Sequence, residues 1–187
     1  MAHKFDPQHL ERLLSADRLK DIAPKELLGS EGLKAGQVFA DVGCGPGFFT
    51  LPAAELVGSG GRVYAIDAQQ EMLEFLKKRN PPKCVHIVRS EEEKIPLKDG
   101  EADFALMAYV LHEVRDQIVF LNEVRRILKK DGILLVIDWK KLKEEKGPPI
   151  EERLTEGQTC GFLKKAGFLN VTTSSLNQSH YKIVAVK

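Results

Sequence analysis

The chain has 187 residues, 43% of them hydrophobic and 29% charged, and this composition predicts a single globular domain over residues 1–187. The formal net charge of +1 argues against a nucleic-acid partner, because proteins that bind by neutralising phosphates usually carry a large excess of Lys and Arg. No stretch approaches the roughly 18 apolar residues of a membrane span, and the amino terminus lacks a signal-peptide core, so we expect a cytoplasmic protein with no membrane partner.

The first 35 residues are expected to form a helical appendage whose apolar stripe includes Leu10, Leu13 and Leu14. This appendage could cover a cleft, or it could pack on the outside of a sheet. From residue 36 onward, short apolar runs alternate with longer amphipathic ones, which is typical of βα units around a parallel sheet. The first five predicted strands are Gln37–Val42, Arg62–Ile66, Val85–Val88, Ala102–Met107 and Gly132–Asp138.

Helices are predicted between these strands from their amphipathic spacing. They span Phe48–Val57, Gln69–Arg79 and Gln117–Lys130, and Gly132 is expected to end the last one. A capping-box sequence starting at Thr155 predicts a further helix up to Ala166. The connector between the final strands, Asn170–Ser174 and Tyr181–Lys187, is too short for a crossover helix, so these strands should form an antiparallel hairpin. This plan is not that of an NAD dehydrogenase.

A glycine-rich loop follows the first strand, in the run Asp-Val-Gly-Cys-Gly-Pro-Gly from Asp41 to Gly47. Open α/β sheets bind ligands at the carboxyl ends of their strands, and glycine lets the backbone approach a ligand closely. The alternative is a plain strand-to-helix turn. The spacing is G-x-G-x-G rather than the dinucleotide G-x-G-x-x-G, and no Lys followed by Ser or Thr marks a phosphate loop. A ligand without a pyrophosphate fits better.

The second strand ends in Asp67, twenty positions after Gly47. A carboxylate at this place can accept hydrogen bonds from both hydroxyls of a ribose, and it would repel a 2′-phosphate. Asp67 could also serve as the N-cap of the following helix, and the two roles are compatible.

These motifs resemble the class I S-adenosylmethionine-dependent methyltransferases, and among them the group that includes the ubiquinone and menaquinone C-methyltransferases. The resemblance runs from about Leu33 to the carboxyl terminus and rests on the glycine loop, on Val63–Asp67, on Ser90–Leu97 and on Ala102–Val114. It implies a Rossmann-like α/β fold with a seven-stranded, mostly parallel sheet of order 3-2-1-4-5-7-6, in which the last strand is antiparallel. The cofactor implied is S-adenosyl-L-methionine.

Site residues are also implied by the resemblance. Glu91 would accept a bond from the adenine amino group and Glu92 would offer its backbone N–H, although this acidic run could be an ordinary solvated loop. Met72 would lie near the adenine and Met107 at the methionine end of the cofactor. The full set of expected cofactor-binding residues is Asp41, Gly43, Gly45, Asp67, Ala68, Met72, Glu91, Glu92 and Met107.

The methyl group of a sulfonium is already activated, so its transfer needs a base only when the acceptor carries an acidic proton. His112 is the candidate catalytic base, because it follows the fourth strand and its ordinary pKa suits neutral pH; it could instead pack against the cofactor or the appendage. Asp138 and Trp139 are candidates for the acceptor wall, and Trp139 could equally belong to the core.

The expected activity is methylation of a small molecule. The alternatives are a non-catalytic cofactor-binding partner subunit and an RNA or protein methyltransferase. The three cysteines are far apart and have no metal-ligand spacing, which predicts free thiols and no metal site.

Overall fold

The computed structural model describes residues 14–91 and 94–187. Its strands are β1 (Val38–Val42), β2 (Arg62–Asp67), β3 (Val85–Arg89), β4 (Ala102–Ala108), β5 (Leu128–Trp139), β6 (Leu169–Ser175) and β7 (His180–Val186). Its helices are α1 (Ala16–Ile22), α2 (Pro24–Ser30), α3 (Thr50–Val57), α4 (Gln70–Lys78), α5 (Gln117–Ile127) and α6 (Glu156–Lys165). A short 3₁₀ turn spans Leu111–Glu113.

The seven strands form one sheet in the order β3-β2-β1-β4-β5-β7-β6. The first five are parallel to their neighbours, and β7 runs antiparallel to both β5 and β6. Both the predicted order and the predicted hairpin are confirmed. Because β7 is antiparallel, its first residue, His180, pairs with Trp139 at the last position of β5. The carboxyl ends of the parallel strands and the beginning of β7 therefore share one edge, which we call the carboxyl edge.

Apolar side chains are buried on both faces of the sheet, as expected for parallel strands covered by helices. On one face, Leu121 and Val124 of α5 pack with Leu163 of α6. On the other, Leu28 of α2 packs with Ala53 of α3. Helix α2 of the appendage thus packs on the outside of the sheet, whereas Arg18 of α1 extends to the carboxyl edge. The predicted Leu10 and Leu13 lie outside the described residues.

One predicted boundary is wrong, since α5 ends at Ile127 rather than at Lys130. Leu128 adopts an extended conformation and pairs with Ala102 at the beginning of β4. Lys129 then reaches across to the carboxylate of Asp103, with 2.7 Å between Nζ and Oδ1. Pairing with β4 outweighs the local helical pattern, so Gly132 lies within β5 instead of ending the helix.

The predicted capping box at the beginning of α6 is confirmed. The hydroxyl of Thr155 accepts from the backbone N–H of Gln158, and the Gln158 side chain accepts from the N–H of Thr155. In the described parts of the chain, no helix has both the length and the apolar character needed to cross a bilayer.

Candidate active site

The glycine loop lies at the carboxyl edge between β1 and α3. The N–H groups of Gly43 and Cys44 both donate to the carbonyl of Ile66, at 2.8 and 2.9 Å, which fixes the loop to β2. Gly43 has φ of +76°, and a Cβ there would lie 2.3 Å from Cγ2 of Val110. Gly45 has φ of +52°, but a Cβ there would meet no heavy atom within 4 Å. Packing thus requires glycine at position 43, whereas Gly45 borders open space.

Asp67 fixes the other side of this space. Its Oδ2 accepts from the N–H of Gly45 at 2.8 Å, and its Oδ1 accepts from the N–H of Gln69 at 2.9 Å. These two bonds fix the orientation of the Asp67 carboxylate beside the glycine loop. Helix α4 begins at Gln70 with Gln69 as its N-cap, so Asp67 precedes the cap position. The carbonyl of Asp67 also accepts from Ser90 N–H at 3.0 Å, which draws the end of β3 to the same place.

Asp41 is buried beneath the loop, with 2% of its surface exposed. Its Oδ2 accepts a 2.6 Å hydrogen bond from the hydroxyl of Thr50, a residue that no sequence motif singles out. Burial raises the pKa of Asp41 to about 7, against the lowering effect of the Thr50 bond, and the charge of Asp67 raises it further. A cation placed above the loop would favour the ionised carboxylate.

The remaining predicted cofactor-binding residues differ in how deeply they are buried. Ala68 is half-buried directly after Asp67. Met72 and Met107 are buried, at 2% and 0% exposure, below the surface of the carboxyl edge. Glu91 is exposed, and its N–H donates to the carbonyl of Lys94 at 3.2 Å. Glu92 lies outside the described residues.

His112 lies on the 3₁₀ turn that follows β4. Its Nδ1 is 2.7 Å from Oδ1 of Asp138, the same oxygen that accepts from the N–H of Trp139 at 2.8 Å. Both side chains are almost fully buried, at 3% and 2% exposure. Burial alone would lower the pKa of His112, but its hydrogen bond to Asp138 and the charges of Asp138, Glu113 and Glu152 outweigh it, so the pKa of His112 is raised. The structure therefore joins two of the predicted residues in one buried pair.

Arg18 of α1 reaches from the appendage to the carboxyl edge. Its guanidinium carbon lies 4.5 Å from the ring centroid of Phe48 and 4.8 Å from that of Tyr109. Phe48 directly follows the glycine loop, and Tyr109 follows β4. The cation therefore stacks between two elements of the site, a contact worth about 0.5–2 kcal/mol per ring. Sequence spacing could not reveal it, because the residues are far apart in the chain.

Trp139 is held from several sides. Its ring centroid lies 4.3 Å from that of His180, and the guanidinium carbon of Arg153 lies 5.1 Å from its ring. A Cβ at Gly147 would approach the ring atoms to 2.8 Å. Arg153 is itself buried, and its guanidinium donates to four backbone carbonyls in the loop between β5 and α6. These contacts fix the ring of Trp139 at the carboxyl edge.

Residues 40–136, just over half of the chain, match the family described as "Methyltransferase domain". Demethylmenaquinone methyltransferase of Staphylococcus aureus is 29% identical over 139 residues, which cover 74% of this chain and 56% of that protein. The chain thus spans about half the length of the curated relatives it matches.

Two solved structures are similar over most of the chain. An S-adenosylmethionine-dependent methyltransferase from Aquifex aeolicus is 37% identical with a TM-score of 0.92, covering 98% of this chain and 99% of that one. An S-adenosylmethionine-dependent methyltransferase from Mesorhizobium loti has a TM-score of 0.71 over 87% of this chain and 96% of that one, and at 18% identity this likeness concerns the fold alone.

Proposed function

The chain belongs to the methyltransferase domain family of S-adenosylmethionine-dependent enzymes, and from this premise we propose that it methylates a small-molecule acceptor at the carboxyl edge of its sheet. The observation that carries the proposal is the open space at Gly45 beside the Asp67 carboxylate. A loop held this way lets a ligand approach the backbone while a carboxylate accepts from its hydroxyls.

The residues present fit this cofactor. S-adenosylmethionine supplies a methyl group on a positively charged sulfur, already activated for transfer. The raised pKa values of Asp41 and Glu113, each about 7, indicate carboxyls that a nearby cation would help to ionise. Asp67 is proposed to accept from both ribose hydroxyls, and Gly43 and Gly45 to border the cofactor with their backbones.

The other proposed cofactor contacts are assigned from the sequence motifs that resemble the methyltransferase family. Ala68 and Met72 are proposed beside the adenine, Glu91 and Glu92 as partners of its polar edge, and Met107 near the methionine end. Met72 and Met107 are buried, so in this proposal they support the floor of the site. Asp41 is proposed to contribute to cofactor binding from its buried position beneath the glycine loop.

His112 is proposed as the general base when the acceptor carries an acidic proton. Because the Asp138 carboxylate is only an acceptor, it holds a proton on Nδ1 of His112, which leaves the lone pair of the neutral ring on Nε2. Asp138 would also stabilise the imidazolium that forms when Nε2 takes a proton. Trp139, fixed by Gly147 and Arg153, would bound the acceptor side.

A small-molecule acceptor is supported by two observations. The net charge of +1 lacks the large excess of Lys and Arg that is usual in proteins that bind polyanions. The curated relatives bear the name demethylmenaquinone methyltransferase, and that acceptor is a small molecule. At 29% identity these relatives support the class of acceptor, not its identity.

Transfer of a labelled methyl group tests the proposal. The protein is incubated with S-adenosylmethionine bearing a trideuterated methyl group and, in separate reactions, with quinols, phenols, amines, thiols, RNA and a protein mixture. The products are analysed by mass spectrometry. We expect label in at least one small acceptor, with a matching amount of S-adenosylhomocysteine. Label found only in RNA or protein would overturn the small-molecule proposal, and cofactor binding without any transfer would favour a non-catalytic partner subunit.

A further inference from the structure

The imidazole of His112 lies between two carboxylates. Asp138 contacts Nδ1 at 2.7 Å, and Oε1 of Glu113 lies 3.9 Å from Nε2. The three side chains differ in their access to water: His112 and Asp138 are 3% and 2% exposed, whereas Glu113 is 27% exposed. The nitrogen that carries the lone pair of the neutral ring thus faces Glu113, the one of the two carboxylates that reaches solvent.

We propose that Glu113 is a positioning residue for His112 and the route by which a proton taken up by His112 reaches solvent. This inference rests on the base role proposed above for His112. No sequence motif singles out Glu113. Its position depends on the 3₁₀ turn at Leu111–Glu113, which places the Glu113 carboxylate on the Nε2 side of the neighbouring His112 ring.

The proton balance is simple. The acceptor would give its proton to Nε2 of neutral His112, and the electron pair left on the acceptor would form the new bond to the methyl carbon. The bond from that carbon to the sulfonium sulfur would break at the same time, and its electron pair would stay on the sulfur. The imidazolium is then held between two carboxylates. Its Nε2–H bond breaks as the proton passes to a carboxylate oxygen of Glu113, which becomes a carboxylic acid and then releases the proton to water. His112 is neutral again, and Asp138 keeps its bond to Nδ1 throughout.

Carboxylates near the pair act in the same direction on both groups, raising the pKa of each. Glu113 is faced by His112, Asp138, Asp67 and Glu152, and its pKa is raised to about 7, mainly because of burial. The pKa of His112 is also raised, by Asp138, Glu113 and Glu152. The two groups therefore influence each other's protonation, and two interacting sites titrate as a pair.

Titration of His112 by NMR tests the inference without any acceptor. The protein has five histidines, and His112→Asn assigns the resonance. In Glu113→Gln we expect the pKa of His112 to fall by about one unit, since an opposite charge within about 4–6 Å shifts a pKa by about 1–3 units. Asp138→Asn should lower it more. Glu152→Gln, the matched control on a more distant carboxylate, should lower it less than Glu113→Gln.

An unchanged titration of His112 in a folded Glu113→Gln protein would overturn the inference, as would an equal shift in Glu152→Gln. Thermal unfolding of each variant checks that it is folded. Once an acceptor is identified, the pH dependence of kcat/KM should move with the NMR titration. Absence of methyl transfer in every acceptor would refute the proposed function, but it would leave the NMR result intact, so the two failures are distinguishable.

Discussion

Replacing Gly45 by Ala separates the cofactor site from the stability of the fold. The added Cβ meets no heavy atom of the protein within 4 Å, so it enters the space that the cofactor is proposed to occupy. The cost to folding should be that of a side chain at φ of +52°, about 1–2 kcal/mol. For a chain of this size, this corresponds to a fall in Tm of about 2–8 °C.

Affinity for S-adenosylmethionine should also fall, by a free energy equal to or larger than the loss of stability. Forcing a methyl group into a closely packed contact costs about 1–3 kcal/mol, which corresponds to roughly 5–150-fold in Kd. Isothermal titration calorimetry measures the affinity, and thermal unfolding without cofactor measures the stability.

Two further glycines provide the comparison. Gly43→Ala places its Cβ 2.3 Å from Cγ2 of Val110. It should lower the free energy of unfolding by about 2–5 kcal/mol in total, which is more than the loss expected for Gly45→Ala. Gly60→Ala, where a Cβ meets nothing within 4 Å and φ is not left-handed, should change neither quantity. The reasoning is refuted if Gly45→Ala binds the cofactor as tightly as the wild type does.

Three other outcomes are expected. Asp67→Ala should weaken S-adenosylmethionine binding by at least tenfold in calorimetry, because hydrogen bonds to a charged acceptor are worth about 1.5–3 kcal/mol each; wild-type affinity would contradict the ribose contact. The rate of methyl transfer should rise with pH through the raised pKa of His112, since only the neutral ring accepts a proton, and Asp138→Asn should move this midpoint to lower pH. A pH profile that is the same in both proteins would contradict the pairing. Because the pKa of Asp41 is raised to about 7 in the fold, its stabilising effect is complete below its ordinary value of 3.8 and is lost as the pH rises through 7. Relative to Asp41→Asn, the wild type should therefore lose up to about 4 kcal/mol of unfolding free energy between pH 4 and pH 8 in urea titrations, and parallel curves would contradict this.

Local patterns account for most of the fold. The alternation of short apolar runs with longer amphipathic runs is sufficient to predict seven strands. Strands of such a sheet are covered by helices on both faces, so each strand is a short apolar run that can be recognised in the sequence. The short connector before β7 fixes the antiparallel hairpin for a steric reason. The end of α5 was misjudged because pairing of Leu128 with Ala102 is a long-range interaction that helical spacing does not contain.

The site also combines features that local motifs indicate with features that depend on long-range contacts. The geometry of Gly45 and Asp67 follows from a contiguous motif and one strand end, so the sequence could indicate both. The stacking of Arg18 on Phe48 and Tyr109 joins three separate elements and leaves no pattern in the chain. Arg153 is similar, because its carbonyl partners are backbone atoms of a loop and any residue types could supply them.

The location of the cofactor is tested most directly by a crystal structure of the protein with S-adenosylhomocysteine. The account predicts the ribose hydroxyls within hydrogen-bond distance of the Asp67 carboxylate, the backbone of Gly45 against the ligand, and the sulfur directed toward His112. A ligand bound elsewhere, or one that leaves Asp67 without contact to the ribose, would contradict it.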